Sequence, residues 1–133
     1  MEGRYLNYQN ALSRLLKEYQ MYGSLYIAFD FDHTVYDFDG VGDTFHQVEN
    51  RLKQAKEQGH KLILFTCREG ERLQFAIDYC TEHGYAPDYI NESPIKPGHT
   101  KPYYNLLLDD RAGLDSAFQT LCYLLNNIEY LKG

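Results

Sequence analysis

The chain has 133 residues, of which 13 are basic and 19 acidic, giving a formal net charge of −6. This acidic balance, with no basic block, disfavours DNA or RNA as a partner held by overall charge. Hydrophobic residues make up 44% of the chain, which predicts a single globular domain over residues 1–133 whose core needs no disulfide or metal.

Several features of the sequence indicate the cellular compartment, and they favour the cytoplasm. No apolar stretch approaches the roughly 20 residues of a membrane span, and the first residues lack the basic start and apolar run of a signal peptide. The three cysteines are odd in number and well separated, namely Cys67, Cys80 and Cys122. They are typical of free thiols in a reducing compartment. We therefore expect a cytoplasmic protein with no membrane partner.

The N-terminal part of the chain predicts a helix followed by a buried strand. Apolar residues recur at helical spacing over residues 7–21, and Gly23 ends the pattern. We expect this extra N-terminal helix, within residues 1–22, to pack on the core. Residues 25–29 then form a continuous apolar run, which indicates a central parallel strand buried on both faces.

The next segments alternate between helix and strand. A turn-rich stretch over residues 37–43 precedes a second helix, for which Asp43 or Thr44 is a suitable N-cap and Gly59 a suitable end. Residues 62–65 are a second apolar strand. A third helix then ends at His83 and Gly84, and residues 88–90 form a short third strand.

The C-terminal third contains a stiff loop, a strand and a long helix. All four prolines lie between Pro87 and Pro102, which predicts a loop rather than a helix. Residues 106–108 are a fourth strand, and an apolar stripe from Leu114 to Ile128 indicates the last helix. Together these elements predict an α/β fold: a Rossmann-like three-layer sandwich with a mostly parallel sheet of about four strands in the order 3-2-1-4.

Polar residues follow the predicted strands at their carboxyl ends. Strand one leads into Asp30 and Asp32, strand two into Thr66 and Arg68, and strand four directly into an acidic pair at residues 109–110. In open α/β sheets, ligands bind beyond this edge, where the strand order reverses. The sequence therefore predicts one site at the carboxyl edge of the sheet.

Asp30 and Asp32 are the most informative residues of this set. Side chains alternate along an extended segment, so two aspartates separated by one residue point the same way. Paired carboxylates at the edge of a core are costly unless a cation compensates them. The usual cation is a divalent metal, and the usual use of such a pair is one aspartate as nucleophile and the other as proton shuttle. The alternative is that both residues merely begin a solvated loop.

Four motifs occur in order along the chain: Asp30-x-Asp32-x-Thr34, Thr66-Cys67-Arg68, Lys101-Pro102 and Asp109-Asp110. With these motifs the sequence resembles the haloacid dehalogenase superfamily of phosphohydrolases, over roughly residues 25–125. The combination is most similar to short members without a cap domain. The resemblance implies a phosphatase that hydrolyses phosphoric monoesters through an aspartyl phosphate.

The resemblance implies a role for each catalytic residue. Asp30 would attack phosphorus, and Asp32 would protonate the leaving oxygen and then accept a proton from water. Thr66 would donate hydrogen bonds to the phosphoryl oxygens, and Lys101 would place a positive charge beside them.

The same resemblance implies Mg²⁺ as the cofactor. Its ligands would be Asp30, the backbone carbonyl of Asp32, and Asp109, with Asp110 bound directly or through water. Mg²⁺ typically combines a few carboxylate oxygens with waters and a substrate phosphate, and the donors in this set are of that kind.

Several residues have more than one interpretation. Lys96-Pro97 repeats the dipeptide Lys101-Pro102, but Lys101 lies eight residues before Asp109 and is in the better register for strand four. Arg68 either binds a substrate anion or solvates the end of strand two. His33 replaces the glycine usual in the first motif; it either contacts the leaving group or, as we prefer, is an ordinary hydrogen-bonded histidine.

Three other classes of protein share some of these features. Cysteine-dependent phosphatases use a Cys-x5-Arg loop, whereas Cys67 and Arg72 are separated by four residues, two of which are acidic. Receiver domains place their acidic pair first and their lysine last, which is the reverse of the order here. A catalytically silent module that keeps this fold, or a receiver-like one, and binds phosphate remains the alternative to an enzyme.

The spacing of the motifs leaves no room for a cap domain. Only 33 residues separate Asp32 from Thr66, and 34 separate Thr66 from Lys101; segments below about 40 residues rarely fold independently. We expect an open site for a phosphorylated small molecule or macromolecule, with the turn at residues 38–41 as a specificity element. A neighbouring subunit of a homo-oligomer would be one way to close it.

Overall fold

A computed structural model describes residues 3–42, 45–95 and 102–132. The chain alternates between helices and strands, in the order α1 (Tyr8–Tyr22), β1 (Tyr26–Asp30), α2 (Phe45–Glu57), β2 (Lys61–Phe65), α3 (Gly70–Glu82), β3 (Tyr89–Ile90), β4 (Leu106–Leu108) and α4 (Leu114–Lys132). Each element predicted from the apolar patterns is present. The proposed caps of α2, Asp43 and Thr44, lie outside the described residues.

The four strands form one parallel sheet in the order β3-β2-β1-β4, as the sequence predicts. Strand β1 is central and pairs with β2 along its full length, from Tyr26 opposite Lys61 to Asp30 opposite Phe65. On its other side β1 pairs with β4 from Ile27 to Phe29. The strand order therefore reverses beside β1, and the crevice between the ends of β1 and β4 is the ligand-binding position of an open α/β sheet.

Burial of the sheet centre explains why the strands are uninterrupted apolar runs. Ile27 and Phe29 are fully buried among the apolar faces of the helices. Ala28 and Ile63 point to the opposite face by strand alternation, and they are also inaccessible to solvent. The fold is therefore a Rossmann-like α/β fold of the three-layer type with a sheet covered on both faces.

Helix α1 packs on this core as expected. Its first turn is capped by Asn7, whose side chain accepts a hydrogen bond from the Asn10 backbone N–H at 3.0 Å. It ends at Gly23, which has a φ of 79°, a left-handed conformation that glycine adopts without steric cost. Leu15 is the buried residue of its inner face, and Leu12, Leu16 and Tyr19 pack against the core beside it.

The connections at the carboxyl edge of the sheet are short loops. Among residues 31–42, 91–95 and 102–105, which the structure describes, no helix or named strand is inserted. The carboxyl edge is therefore not covered by a cap within these ranges. Over the same described part of the chain, none of the helices has both the length and the apolar character needed to cross a bilayer.

Candidate active site

Three carboxylates converge where β1 and β4 end. One oxygen each from Asp30, Asp109 and Asp110 lies within 4.8 Å of the other two. Asp30 is the last residue of β1, and the acidic pair follows β4 directly. Parallel pairing of β1 with β4 places these two strand ends side by side, which explains why residues nearly 80 positions apart in the sequence meet.

The environment of Asp30 disfavours its charged form. Partial burial, a hydrogen bond that the protonated Asp30 donates to the side chain of Asp110, and repulsion from Asp109 raise the pKa of Asp30 to about 7. The Phe31 backbone N–H donates to Asp30 Oδ1 at 2.9 Å, which acts in the opposite direction and fixes the side chain. The cluster is therefore a set of mutually repelling acids that a cation would relieve.

Backbone contacts join the acidic pair to the first motif. The Asp110 N–H donates to the hydroxyl of Thr34 at 3.1 Å, and the Arg111 N–H donates to Asp109 Oδ1 at 2.8 Å. Thr34 is fully buried. Its hydroxyl thus joins the loop after β1 to the loop after β4, on which the acidic pair lies.

Asp32 does not join the carboxylate cluster. Both of its oxygens accept hydrogen bonds from Arg68, with Nη2 at 2.7 Å from Oδ1 and Nε at 2.9 Å from Oδ2. This paired guanidinium lowers the pKa of Asp32, against the opposing effect of burial. Of the two interpretations of Arg68, the structure shows an arginine engaged with the protein's own carboxylate.

Thr66 lies at the end of β2 and lines the cleft. Its backbone N–H donates to Asn91 Oδ1 at 2.8 Å, and its hydroxyl oxygen accepts from the Arg68 N–H at 3.1 Å. The hydroxyl proton therefore remains available to donate towards the cleft.

Asn91 is a site residue that the sequence analysis missed. It follows β3, so it reaches the same carboxyl edge as the other strand ends. Its φ of 52° is a left-handed conformation, in which asparagine is enriched. The only sequence signal for Asn91 is its position directly after the short predicted strand at residues 88–90. A strand of that length gives a weak prediction of where the carboxyl edge lies.

His33 occupies a turn that glycine would adopt freely. Its φ is 64°, so the chain keeps the turn at the cost of a left-handed non-glycine residue. The His33 N–H donates to the Tyr36 carbonyl at 3.0 Å. Its ring lies 3.7 Å from Asp39 and edge-on to Phe38, so His33 connects the cleft to the exposed turn beyond it.

The cleft that these residues line is open and has a volume of about 470 Å³. Cys67, Asn91 and Arg111 contribute to its walls together with the three carboxylates. A larger hollow of about 580 Å³ lies beside Arg4 and Arg14 at the N-terminal end, but it contains none of the clustered acids. Lys96 and Lys101 both lie outside the described residues, so the choice between them stays a prediction.

Fold and site together define an α/β protein of the Rossmann-like type whose carboxylates cluster at the topological switch point of a parallel sheet. Comparison with models of protein families gave no match, and comparison with curated proteins gave none either. A solved structure of a conserved protein coded by a locus from Bacteroides thetaiotaomicron is similar, with 31% identity and a TM-score of 0.56. The similarity covers 66% of this chain and 77% of that chain. The chain belongs to the same family as that conserved protein.

Proposed function

We propose that this protein is a Mg²⁺-dependent phosphohydrolase of the haloacid dehalogenase type, which hydrolyses phosphate monoesters through an aspartyl phosphate. The observation that carries the proposal is the cluster of Asp30, Asp109 and Asp110, whose oxygens lie within 4.8 Å of one another at the carboxyl edge of the sheet. Thr66 lines the same cleft. These are the residues that the motif resemblance implicates.

Asp30 is the nucleophile in this mechanism. One of its oxygens forms a bond to phosphorus while the ester P–O bond breaks, and the leaving alcohol takes a proton from Asp32. Water then attacks the aspartyl phosphate, gives a proton to Asp32 and releases inorganic phosphate. The hydrogen bond from the Phe31 N–H to Asp30 Oδ1 holds the nucleophile in place between the two steps.

Asp32 is better prepared for the second step than for the first. Its pairing with Arg68 lowers its pKa, which favours the carboxylate that accepts a proton from water. The first step asks for a protonated Asp32, and that need is smallest when the leaving group is stable as an anion. We therefore expect aryl phosphates to be hydrolysed faster than simple alkyl phosphates.

The donor set fits Mg²⁺. Asp30, Asp109 and Asp110 supply carboxylate oxygens, and burial together with their interactions raises the pKa of Asp30 in the absence of a cation. The remaining positions would belong to the Asp32 carbonyl, water and a substrate phosphate oxygen. Mg²⁺ bound there would offset negative charge on the phosphoryl group.

The hydroxyl of Thr66 is placed to donate to a phosphoryl oxygen in the same cleft. Lys101 is assigned the positive charge beside that oxygen from its motif alone, since it lies outside the described residues. Arg111 lines the cleft as well and adds a further positive charge on the opposite side from Thr66's strand. The openness of the cleft suits a phosphate carried on a larger group.

The test is release of p-nitrophenol from its phosphate ester, with Mg²⁺ and then with EDTA. We expect turnover that needs the metal and that Asp30→Asn abolishes. Asp78→Asn is a suitable control because Asp78 is an exposed carboxylate on α3 whose side chain accepts a hydrogen bond from Gln74. Full activity in Asp30→Asn would reject the nucleophile.

A phosphate-binding module without turnover is the second candidate. The ion pair between Asp32 and Arg68 favours it, because an acid held as a carboxylate is a weak proton donor. Binding of beryllofluoride with Mg²⁺, measured by calorimetry, separates the candidates. Binding without hydrolysis of any phosphate ester would indicate the module, and hydrolysis of one would indicate the enzyme.

A further inference from the structure

The contact between Arg68 and Asp32 links the loop after β2 to the loop after β1. It is a fork of two hydrogen bonds, 2.7 Å and 2.9 Å long, and it occupies both oxygens of the carboxylate. The Arg68 side chain is only 8% exposed, whereas that of Asp32 is 29% exposed. The guanidinium therefore approaches Asp32 from the protein side and leaves the cleft side of the carboxylate accessible.

Aromatic rings hold Arg68 in this position. Its guanidinium carbon lies 4.9 Å from the centroid of the Phe31 ring, 5.4 Å from that of Tyr36 and 5.7 Å from that of Phe75. Phe31 and Tyr36 are themselves stacked, with centroids 4.9 Å apart. Planar stacking fixes a guanidinium in a way that an ammonium group does not reproduce, because only the planar fork meets both carboxylate oxygens at once.

Arg68 is also fixed through its backbone. Its N–H donates to the hydroxyl oxygen of Thr66 at 3.1 Å. The residue that holds Asp32 is therefore built into the same turn that presents Thr66 to the cleft. A side chain fixed by three rings, a carboxylate and its own turn has little freedom to follow a substrate.

We propose that Arg68 is a positioning residue: it fixes the orientation of the Asp32 carboxylate for proton transfer and does not bind the substrate phosphate. This inference rests on the proposed function. The fork presents Asp32 in one orientation, while the pair as a whole carries no net charge into the cleft. A displacement of a reacting group by about 1 Å can cost on the order of 100-fold in rate, so loss of the fork should act on turnover.

The test is a double-mutant cycle on hydrolysis of p-nitrophenyl phosphate with Mg²⁺. We expect Arg68→Met to lower kcat by about 10- to 100-fold and to leave KM nearly unchanged. Asp32→Asn combined with Arg68→Met should be no slower than Asp32→Asn alone, because Arg68 acts through Asp32. Arg14→Met, at an exposed arginine on α1 that does not line the cleft, is the matched control and should retain wild-type kcat.

Arg68→Lys keeps the positive charge. It replaces Arg68→Met in the double-mutant cycle if Arg68→Met does not fold. We expect Arg68→Lys to lose kcat as well, since a lysine cannot form the fork. Wild-type kcat in Arg68→Lys would overturn the inference. The inference would also be overturned if the two substitutions lowered kcat independently, so that their fold-losses multiply in the double variant, and if KM rose. That result would mean that Arg68 contacts the substrate.

A second measurement does not depend on turnover. The Nε–Hε signal of Arg68 in an NMR spectrum should be protected from exchange in the wild type and lose that protection in Asp32→Ala, which removes both acceptor oxygens. An unchanged signal would overturn the inference. A wild-type protein that neither hydrolyses phosphate esters nor binds beryllofluoride with Mg²⁺ would overturn the proposed function, and the positioning role with it. Multiplicative losses of kcat in an active enzyme would overturn the positioning role alone.

Discussion

The carboxyl group of Asp30 is half-buried beside two other acids, and its charge is unfavourable in the metal-free protein. Its folded-state pKa of about 7 is above the ordinary value of 3.8. The folded protein therefore binds a proton that the unfolded chain has lost, so the destabilisation is fully present above pH 7 and fades as the pH falls towards 4. The role proposed for Asp30 therefore carries a cost in stability.

We predict that Asp30→Asn stabilises the metal-free protein at pH 8. Asparagine is nearly isosteric, keeps an oxygen for the Phe31 N–H and offers its own N–H group to Asp110. After allowance for solvent screening, the gain should be about 1–2 kcal/mol. Urea unfolding in EDTA measures it, with Asp78→Asn as the control.

The same experiment at lower pH checks the cause. Near pH 5 the wild-type carboxyl group is protonated in the folded state, so the advantage of Asp30→Asn should shrink. A gain that is equal at both pH values would mean that the charge of Asp30 is not its source.

Asn91 illustrates a residue that acts through one hydrogen bond. Its side chain accepts from the Thr66 N–H, and its left-handed φ makes glycine the replacement that avoids strain. We predict that Asn91→Gly speeds hydrogen exchange at the Thr66 amide because that N–H loses its acceptor, worth about 1 kcal/mol. NMR exchange rates measure this.

Asn91→Asp is the control for that variant, since it keeps an oxygen acceptor at the same position. It should leave the Thr66 amide as protected as in the wild type. Equal exchange rates in wild type and Asn91→Gly would show that another group protects the amide.

At the scale of elements, the turn at residues 37–42 is closed by one side chain. Asp37 accepts hydrogen bonds from the Val41 N–H at 2.9 Å and the Gly42 N–H at 3.0 Å. These bonds lower the pKa of Asp37. The turn carries Phe38 and Asp39 next to His33, so its shape determines what stands at one rim of the cleft.

We predict that Asp37→Ala loosens this turn and leaves the sheet intact. The amides of Val41 and Gly42 should exchange faster, because they lose their acceptor, while the amides of β1 keep their protection. Asp39→Asn is the control, since Asp39 lies on the same turn but accepts from neither amide in the described chain. Unchanged exchange in Asp37→Ala would show that the turn is held by other contacts.

The elements were predictable from the sequence because their apolar patterns reflect burial in this fold. The runs at residues 25–29 and 62–65 are uninterrupted because the sheet centre is covered on both faces. The meeting of Asp30 with the acidic pair after β4 followed from parallel strands alone. These inferences need only the spacing of apolar residues along the sequence and the edge of the sheet at which each strand ends.

Side-chain pairings across elements were not predictable in the same way. Arg68 and Asp32 are 36 positions apart, and only the rotamers set by three aromatic rings decide that the arginine turns towards the protein. Glu49 is buried in α2, where its side chain accepts a hydrogen bond from the Tyr85 hydroxyl. No periodic pattern encodes such a contact, since each depends on how two helices or loops cross.

At the scale of the whole molecule, His60 joins the start of β1 to the C-terminal helix. Its Nδ1 accepts from the Leu25 N–H at 3.0 Å, and its Nε2–H donates to Gln58 Oε1 at 3.2 Å. The Gln58 amide group in turn donates to Glu129 on α4. Both ring nitrogens are thus satisfied only in the neutral form of the imidazole.

Burial, with a smaller contribution from Lys132, lowers the pKa of His60 to about 4 from its ordinary 6.5. The unfolded chain therefore binds a proton before the folded protein does, so stability is full above pH 6.5 and declines as the pH falls towards 4. We predict that His60 alone lowers the free energy of unfolding by about 2–3 kcal/mol across that window.

His60→Asn keeps an acceptor for Leu25 without titrating, so its unfolding free energy should decline less steeply between pH 6.5 and 4. His46→Asn, at a side chain 78% exposed, is the control in the same urea titrations and should follow the wild type. Parallel pH profiles for His60→Asn and the wild type would mean that another group governs the acid sensitivity of the fold.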